Sequence, residues 1–165
     1  MRTHGVIRAF GVCGAMVAVT GCATSALFEQ ELTKTNTQTV LAFEETVFNK
    51  HEVREAFSHY VGPVYIQHDP KLPDDKVGAI KALNQLVTRV YPKSRRVVHR
   101  TVAQGDLVAA QVFWDQQPGQ TPGVNEVDIF RLEHGRIVEH WEVVEAAASA
   151  SPASRTGPSR PRIGG

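Results

Sequence analysis

The hydrophobic period of this chain changes once, and that change constrains the fold more than any other feature. Between Val40 and Val90 the large apolar residues recur at helical spacing, and from Arg95 to Val144 they alternate. Thr35 or Asn36 can cap a helix that carries Val40, Leu41, Phe43, Val47 and Phe48 on one stripe. A shorter helix is expected from Glu52 to Tyr60. Gly62-Pro63 ends it, and Val64 to His68 then reads as an extended segment closed by Asp69-Pro70. Pro73-Asp74-Asp75 opens a third helix with Val77, Ile80, Leu83, Leu86, Val87 and Val90 on one side, and Pro92 stops it. Four strands are expected after that: Arg95 to Gln104, Leu107 to Gln116, Val124 to Leu132 and Arg136 to Val144. Helices followed by a run of strands is an α+β pattern, and one layer of helices on one curved sheet suits a core of this size.

The two ends read differently from the middle. Arg2 and Arg8 are the only charges before an apolar run from Ala9 to Thr20, which is too short to span a bilayer comfortably. It ends in Val19-Thr20-Gly21-Cys22, which resembles a bacterial lipobox, so residues 1–22 are expected to be a signal peptide and Cys22 the lipidated N-terminus. An ordinary signal peptide cut near Ser25 or Ala26 is the alternative. With Ala23 after the cysteine, the lipoprotein reading implies a membrane-anchored protein on the periplasmic side, at the outer membrane in a Gram-negative cell. Residues 23–34 read as a tether, 35–145 as the folded domain, and 146–165, rich in Ala, Ser, Pro, Arg and Gly, as a disordered tail. Cys13 lies inside the targeting segment, so the expected mature domain has no thiol for a disulfide, a zinc site or a nucleophile.

Charge removes another class. All 17 acidic residues lie between Glu29 and Glu145, whereas five of the 18 basic residues (Arg2, Arg8, Arg155, Arg160 and Arg162) lie outside that range. The folded part is therefore mildly acidic, which gives no footprint for nucleic acid.

The last two strands carry the densest chemistry. A three-residue loop at Glu133-His134-Gly135, with Gly in the left-handed position, pairs Leu132 with Arg136, Phe130 with Val138, Asp128 with His140 and Glu126 with Glu142. One face then holds Glu126, Asp128, Phe130, Val138, His140 and Glu142, and the other holds Val127, Ile129, Ile137, Trp141 and Val143. A two-residue His134-Gly135 turn would instead set Asp128 beside Trp141. In the first register Asp128 orients the His140 imidazole, and the like charges of Glu126 and Glu142 raise one carboxyl toward working pH. Such a carboxylate can take a proton alpha to a carbonyl. A solvated strand face is the plain alternative for the same charges.

Three stretches carry a resemblance: Tyr65-Ile66-Gln67-His68-Asp69-Pro70, Val127-Asp128-Ile129-Phe130-Arg131-Leu132, and Gly135-Arg136-Ile137-Val138-Glu139-His140-Trp141-Glu142. With Thr39-Val40-Leu41-Ala42-Phe43 they resemble the SnoaL-like polyketide cyclases, in the aldol-condensation branch of the nuclear-transport-factor-two-like superfamily, over about Asn36 to Val144. The resemblance implies a cone-shaped α+β barrel, with N-terminal helices packed into a strongly curved antiparallel sheet around a pocket. It implies a general acid/base at Glu142, where most relatives have Asp, so the carboxylate here reaches one methylene further. A second pocket group, His in the cyclases, falls on Asp128, which leaves His140 or His68 to supply an oxyanion donor. The polar residue after the tyrosine falls on Gln67 or His68.

The expected function is thus an exported, cofactor-independent acid/base enzyme of aldol, cyclase or isomerase type, acting on a small hydrophobic or carbonyl-containing ligand. The alternative is a non-catalytic ligand-binding lipoprotein of the same fold. The expected catalytic residues are Glu142, Asp128 and His140, and the expected substrate contacts are Tyr65, Gln67, His68, Glu126, Phe130 and Trp114. No local spacing marks His68, Asp128, His140 and Glu142 as a metal site, so no metal is expected. His51, His59, His99 and the Ser94-Arg95-Arg96 edge read as solvated. The apolar outer face of the hairpin needs cover, which predicts a homodimer through the sheet.

Overall fold

The computed structural model describes residues 18–145, so residues 1–17 of the signal peptide expected over 1–22, and the tail expected over 146–165, lie outside the described residues. Three α-helices precede or interrupt five strands: α1 (Ala18–Glu44), α2 (Val53–Tyr60), β1 (Val61–Gln67), α3 (Lys76–Gln85), β2 (Arg95–Gln104), β3 (Leu107–Asp115), β4 (Val124–Glu133) and β5 (Arg136–Val144). Single π-helical turns, Glu45–Asn49 and Leu86–Val90, extend α1 and α3.

Helix α1 does not begin at a cap on Thr35 or Asn36. It runs through the segment expected as a tether, whose residues from Thr24 to Glu31 are exposed. Asn36 has a different task. It is buried, and its side-chain amide donates to the Gly105 carbonyl at 3.0 Å, tying α1 to the β2–β3 turn. Helix α3 starts where the sequence places it, because the Asp75 carboxylate accepts from the backbone N–H of Val77 and Gly78 at 2.9 Å.

The sheet order is β1-β5-β4-β3-β2. Strands β2 to β5 form an antiparallel meander, but β1 lies parallel to β5, so the sheet is mixed where a wholly antiparallel one was expected. The β1–β5 pairing is interrupted between Val61 and Ile66. Pro63 falls inside that gap and has no N–H to give to a ladder. Further register shifts at Val98/Arg100 and Arg131/Leu132 supply the bends that curve a sheet around its helices.

The concave side holds the core. Val40, Phe43, Val47, Phe57, Ala79, Leu83 and Val87 from the helices pack against Val108, Ala110, Val112, Phe130, Leu132 and Ile137 from the sheet. Phe43 meets the rings of Phe57 and Phe130 edge-on, with centroids 5.4 and 5.9 Å apart. The convex side leaves Val64, Ile66, Val97, Val102 and Val143 exposed. Ile137, expected on that outer side, is fully buried. It pairs with the inward Leu132 next to the turn, and only beyond the following irregularity does β5 take up its final register.

Candidate functional site

The alternation of β4 sends Glu126 and Asp128 inward together with Phe130 and Leu132. Glu126, Asp128, Phe130 and Leu132 are all buried, as is His140 on β5. The expected pairings within the hairpin are shifted by two. Asp128 opposes Glu142, Phe130 opposes His140, and Glu126 opposes Val144. The turn itself is two residues, His134 and Gly135, with φ of 50° and 73°, and Glu133 pairs with Arg136 across it. An extra residue in β5, Val138, then restores the parity that such a turn would have broken. The face therefore keeps its members although each has a different partner.

That face lines a cavity of about 530 Å³. Of the residues singled out from sequence, Glu142, Asp128, His140, Tyr65, Gln67, Glu126, Phe130 and Trp114 all line it. His68 does not. It is exposed on the convex side, stacked on Trp141 at 4.8 Å between centroids, with Nε2 2.8 Å from Glu139 Oε1. Alternation along β1 explains this, since Tyr65 and Gln67 turn inward and are buried while Ile66 is exposed.

Three lining residues carry chemistry that the sequence reading missed. Arg96, read as part of a solvated edge, is buried at the centre of the site. Its Nη2 donates to Asp128 Oδ2 at 2.7 Å and to Glu126 Oε2, and its Nη1 lies 3.1 Å from Glu44 Oε2. The guanidinium also sits 3.9 Å above the centre of the Phe48 ring. Glu44, on the last turn of α1, and Asp69, just after β1, are both buried and both line the cavity. One signal for Arg96 was available. Several inward carboxylates on β4 and β5 need a counter-charge, and a neighbouring strand is where one can be supplied.

One guanidinium cannot neutralise five carboxyls, and the titrations divide accordingly. Burial alone would push Asp128 up, but Arg96 and the bond from His140 more than offset it and hold its carboxyl below the usual range. Burial outweighs Arg96 at Glu44, whose pKa is pushed up to about 8, and it raises Glu126 as well. Glu142 is also pushed up to about 8, first by burial, then by the charge of Glu126 and a hydrogen bond with Asp69. Arg96 itself is held above its ordinary value despite burial, by Asp128, Glu44 and Glu126.

A second chain of bonds fixes the imidazole. The Asp69 backbone N–H donates to Gln67 Oε1 at 3.0 Å, which sets the orientation of that amide, and Gln67 Nε2 donates to Tyr65 Oη at 2.9 Å. His140 Nδ1 is 2.9 Å from the same Gln67 Oε1, and its Nε2 is 3.1 Å from Asp128 Oδ1. Both ring nitrogens thus face oxygens, one of the Gln67 amide and one of the Asp128 carboxylate. The arrangement offers one half-buried carboxyl poised near neutral pH, an ionised carboxylate locked by Arg96, and aromatic walls from Phe43, Phe48, Tyr65, Tyr91, Trp114 and Phe130.

A helix-filled curved sheet enclosing an acid-lined, aromatic-walled cavity defines a small-molecule enzyme or binding protein. The family model for SnoaL-like polyketide cyclase matches residues 38–151, and the chain belongs to that family. Solved structures agree on the fold. TsrD from Streptomyces laurentii is 20% identical with a TM-score of 0.56, over 67% of this chain and 88% of that one. A candidate SnoaL-like polyketide cyclase from Jannaschia sp. CCS1 is 20% identical with a TM-score of 0.57, over 69% and 88%. A nuclear-transport-factor-two-like protein from Mesorhizobium loti is 16% identical with a TM-score of 0.57, over 69% and 93%. No curated protein matches the chain in sequence.

Proposed function

We propose that this protein is a cofactor-independent acid/base enzyme acting on a small carbonyl compound, by aldol, cyclase or isomerase-type chemistry. The observation that carries the reading is Glu142, a half-buried carboxyl on the cavity wall whose pKa is pushed up to about 8. A base with a pKa near the working pH combines a usable ionised fraction with real proton affinity. Glu142 takes the proton alpha to the carbonyl, and the C–H electrons move into the carbonyl to give an enolate. The enolate carbon then attacks a second carbonyl, or is reprotonated elsewhere, and Glu142 returns the proton. Asp128, opposite Glu142 on β4, stays ionised and anchors His140 and Arg96, which keeps the surrounding charges fixed while Glu142 cycles.

Exchange of carbonyl alpha hydrogens for deuterium, followed by NMR across a panel of ketones and aldehydes, tests this. Wild type should exchange at least one compound, and Glu142→Gln should lose that exchange while still binding. Ligands that bind and never exchange would identify a non-catalytic binding protein instead.

The same reading includes export with a lipid on Cys22 and a homodimer through the convex sheet face. The lipobox-like Val19-Thr20-Gly21-Cys22 supports the first and the exposed Val64, Ile66 and Val143 support the second. Mass spectrometry of the membrane fraction, with Cys22→Ser as control, and light scattering of the soluble domain check them.

A further inference from the structure

A carboxylate that abstracts a proton must be held in one orientation and kept basic. Glu142 is faced by Glu126 and Asp128 from β4, by Arg96 from β2 and by Asp69 from the segment after β1. Glu44, Lys71 and His140 line the same cavity. Two of the three carboxyls that face Glu142 are engaged elsewhere. Glu126 and Asp128 both accept from Arg96, and Asp128 also meets His140.

Asp69 is different. It is only 7% exposed, lines the cavity, and forms no ion pair with a cation among the described residues. Its Oδ1 accepts the Lys71 backbone N–H at 2.9 Å, and its carboxyl bonds that of Glu142. The backbone is held on both sides. The Asp69 N–H donates to Gln67 Oε1 at 3.0 Å, the Asp69 carbonyl accepts from Leu72 at 3.0 Å, and Pro70 between them has a fixed φ. This turn explains a polar side chain at position 69 but not a charged one, because an asparagine oxygen accepts the same Lys71 hydrogen. Burying a carboxylate without a counter-ion is costly, so the charge needs a second reason. The bond to Glu142 supplies it. Carboxylates are acceptors only, so two carboxyls bond each other through a hydrogen that one of them carries.

We infer that Asp69 is the positioning residue of the base: its fixed carboxyl accepts the hydrogen of Glu142 in the resting enzyme, holds that side chain in one orientation on the cavity wall, and by its charge strengthens the pull of ionised Glu142 on a substrate proton. Once the resting hydrogen has left, two anions stand side by side. Taking the alpha proton of the substrate relieves that repulsion. The inference rests on the acid/base reading of Glu142 and extends it.

The test reads the Glu142 proton directly. Protein labelled with 13C at the glutamate side-chain carboxyls is titrated by NMR, and the Glu142 signal is the one that disappears in Glu142→Gln. Its midpoint should lie at about 8 in wild type. In Asp69→Asn it should fall by about one pH unit, the roughly tenfold loss of proton affinity that one hydrogen bond is worth. The rate–pH profile of alpha exchange should move with it, and the plateau kcat should fall about threefold, as a weaker base demands, with KM little changed. Pro70→Ala loosens the same turn and keeps the carboxylate, so it should leave the midpoint in place. Asp69→Ser, whose hydroxyl also accepts the turn hydrogen, takes the place of Asp69→Asn if the latter fails to fold. An unmoved midpoint in the Asp69 variant, or an equal shift in Pro70→Ala, overturns the inference. A lowered midpoint with no exchange in any compound keeps the Asp69–Glu142 pair and removes the base reading. Exchange that depends on Glu142 with an unmoved midpoint does the reverse.

Discussion

Replacing Glu44 by Gln isolates the electrostatic argument at the centre of the site. Arg96 carries one positive charge among Glu44, Glu126 and Asp128, and the ionised role falls to Asp128. Glu44 is left to hold its proton, with a pKa of about 8 against an ordinary value of 4.5. Across that window the folded state keeps a proton that the unfolded chain has released, so stability falls as pH rises and the contribution is gone once pH passes the folded pKa. Between pH 6 and pH 8 the loss attributable to this one group is about 2 kcal/mol. Gln has the shape of the protonated acid and no proton to lose. Urea unfolding followed by tryptophan fluorescence at pH 6, 7 and 8 should therefore show Glu44→Gln gaining about 2 kcal/mol on wild type over the interval, whatever fixed offset the substitution introduces. Glu142 contributes a slope of the same sign, but it does so in both proteins and cancels in the difference. Parallel pH profiles for the two proteins would refute the claim that Glu44 is buried as the neutral acid.

Three further outcomes are expected. Because Glu142 acts as a base with a pKa of about 8, the rate of alpha exchange should rise as pH increases through that value and level off above it, a profile that pH-dependent kcat measurements check directly. Arg96→Met removes the only cation among three buried carboxyls and should cost about 3–5 kcal/mol in chemical denaturation, more than its apolar packing could return. Gly123→Ala should lower Tm by several degrees in calorimetry, since Gly123 has φ of 75° and an added Cβ would collide with the Phe113 ring.

The order of elements, the strand boundaries and the membership of the inward hairpin face were legible in the sequence because each rests on a local period. Partnership was less legible. The pairing of Asp128 with Glu142 depends on two irregularities whose effects on parity cancel, a two-residue turn at His134-Gly135 and an extra residue at Val138. A reading by turn type alone must choose one register or the other, and the three-residue choice reached the right face through the wrong pairs. Asp128 and His140 still meet, but as diagonal neighbours at 3.1 Å and not as an opposed pair. The charged centre was the least legible part. Glu44 is one acid near the end of a helical stripe and Arg96 is one base beside another, and nothing in their local sequence separates a buried ion from a solvated one. What separates them is the fold, which brings α1 and β2 over the inward face of β4 and sets one guanidinium among carboxyls from α1 and β4. His68 fails as a pocket residue for the opposite reason. It belongs to a motif read as a unit, yet strand alternation sends it to the convex side, where it stacks on Trp141 and binds Glu139.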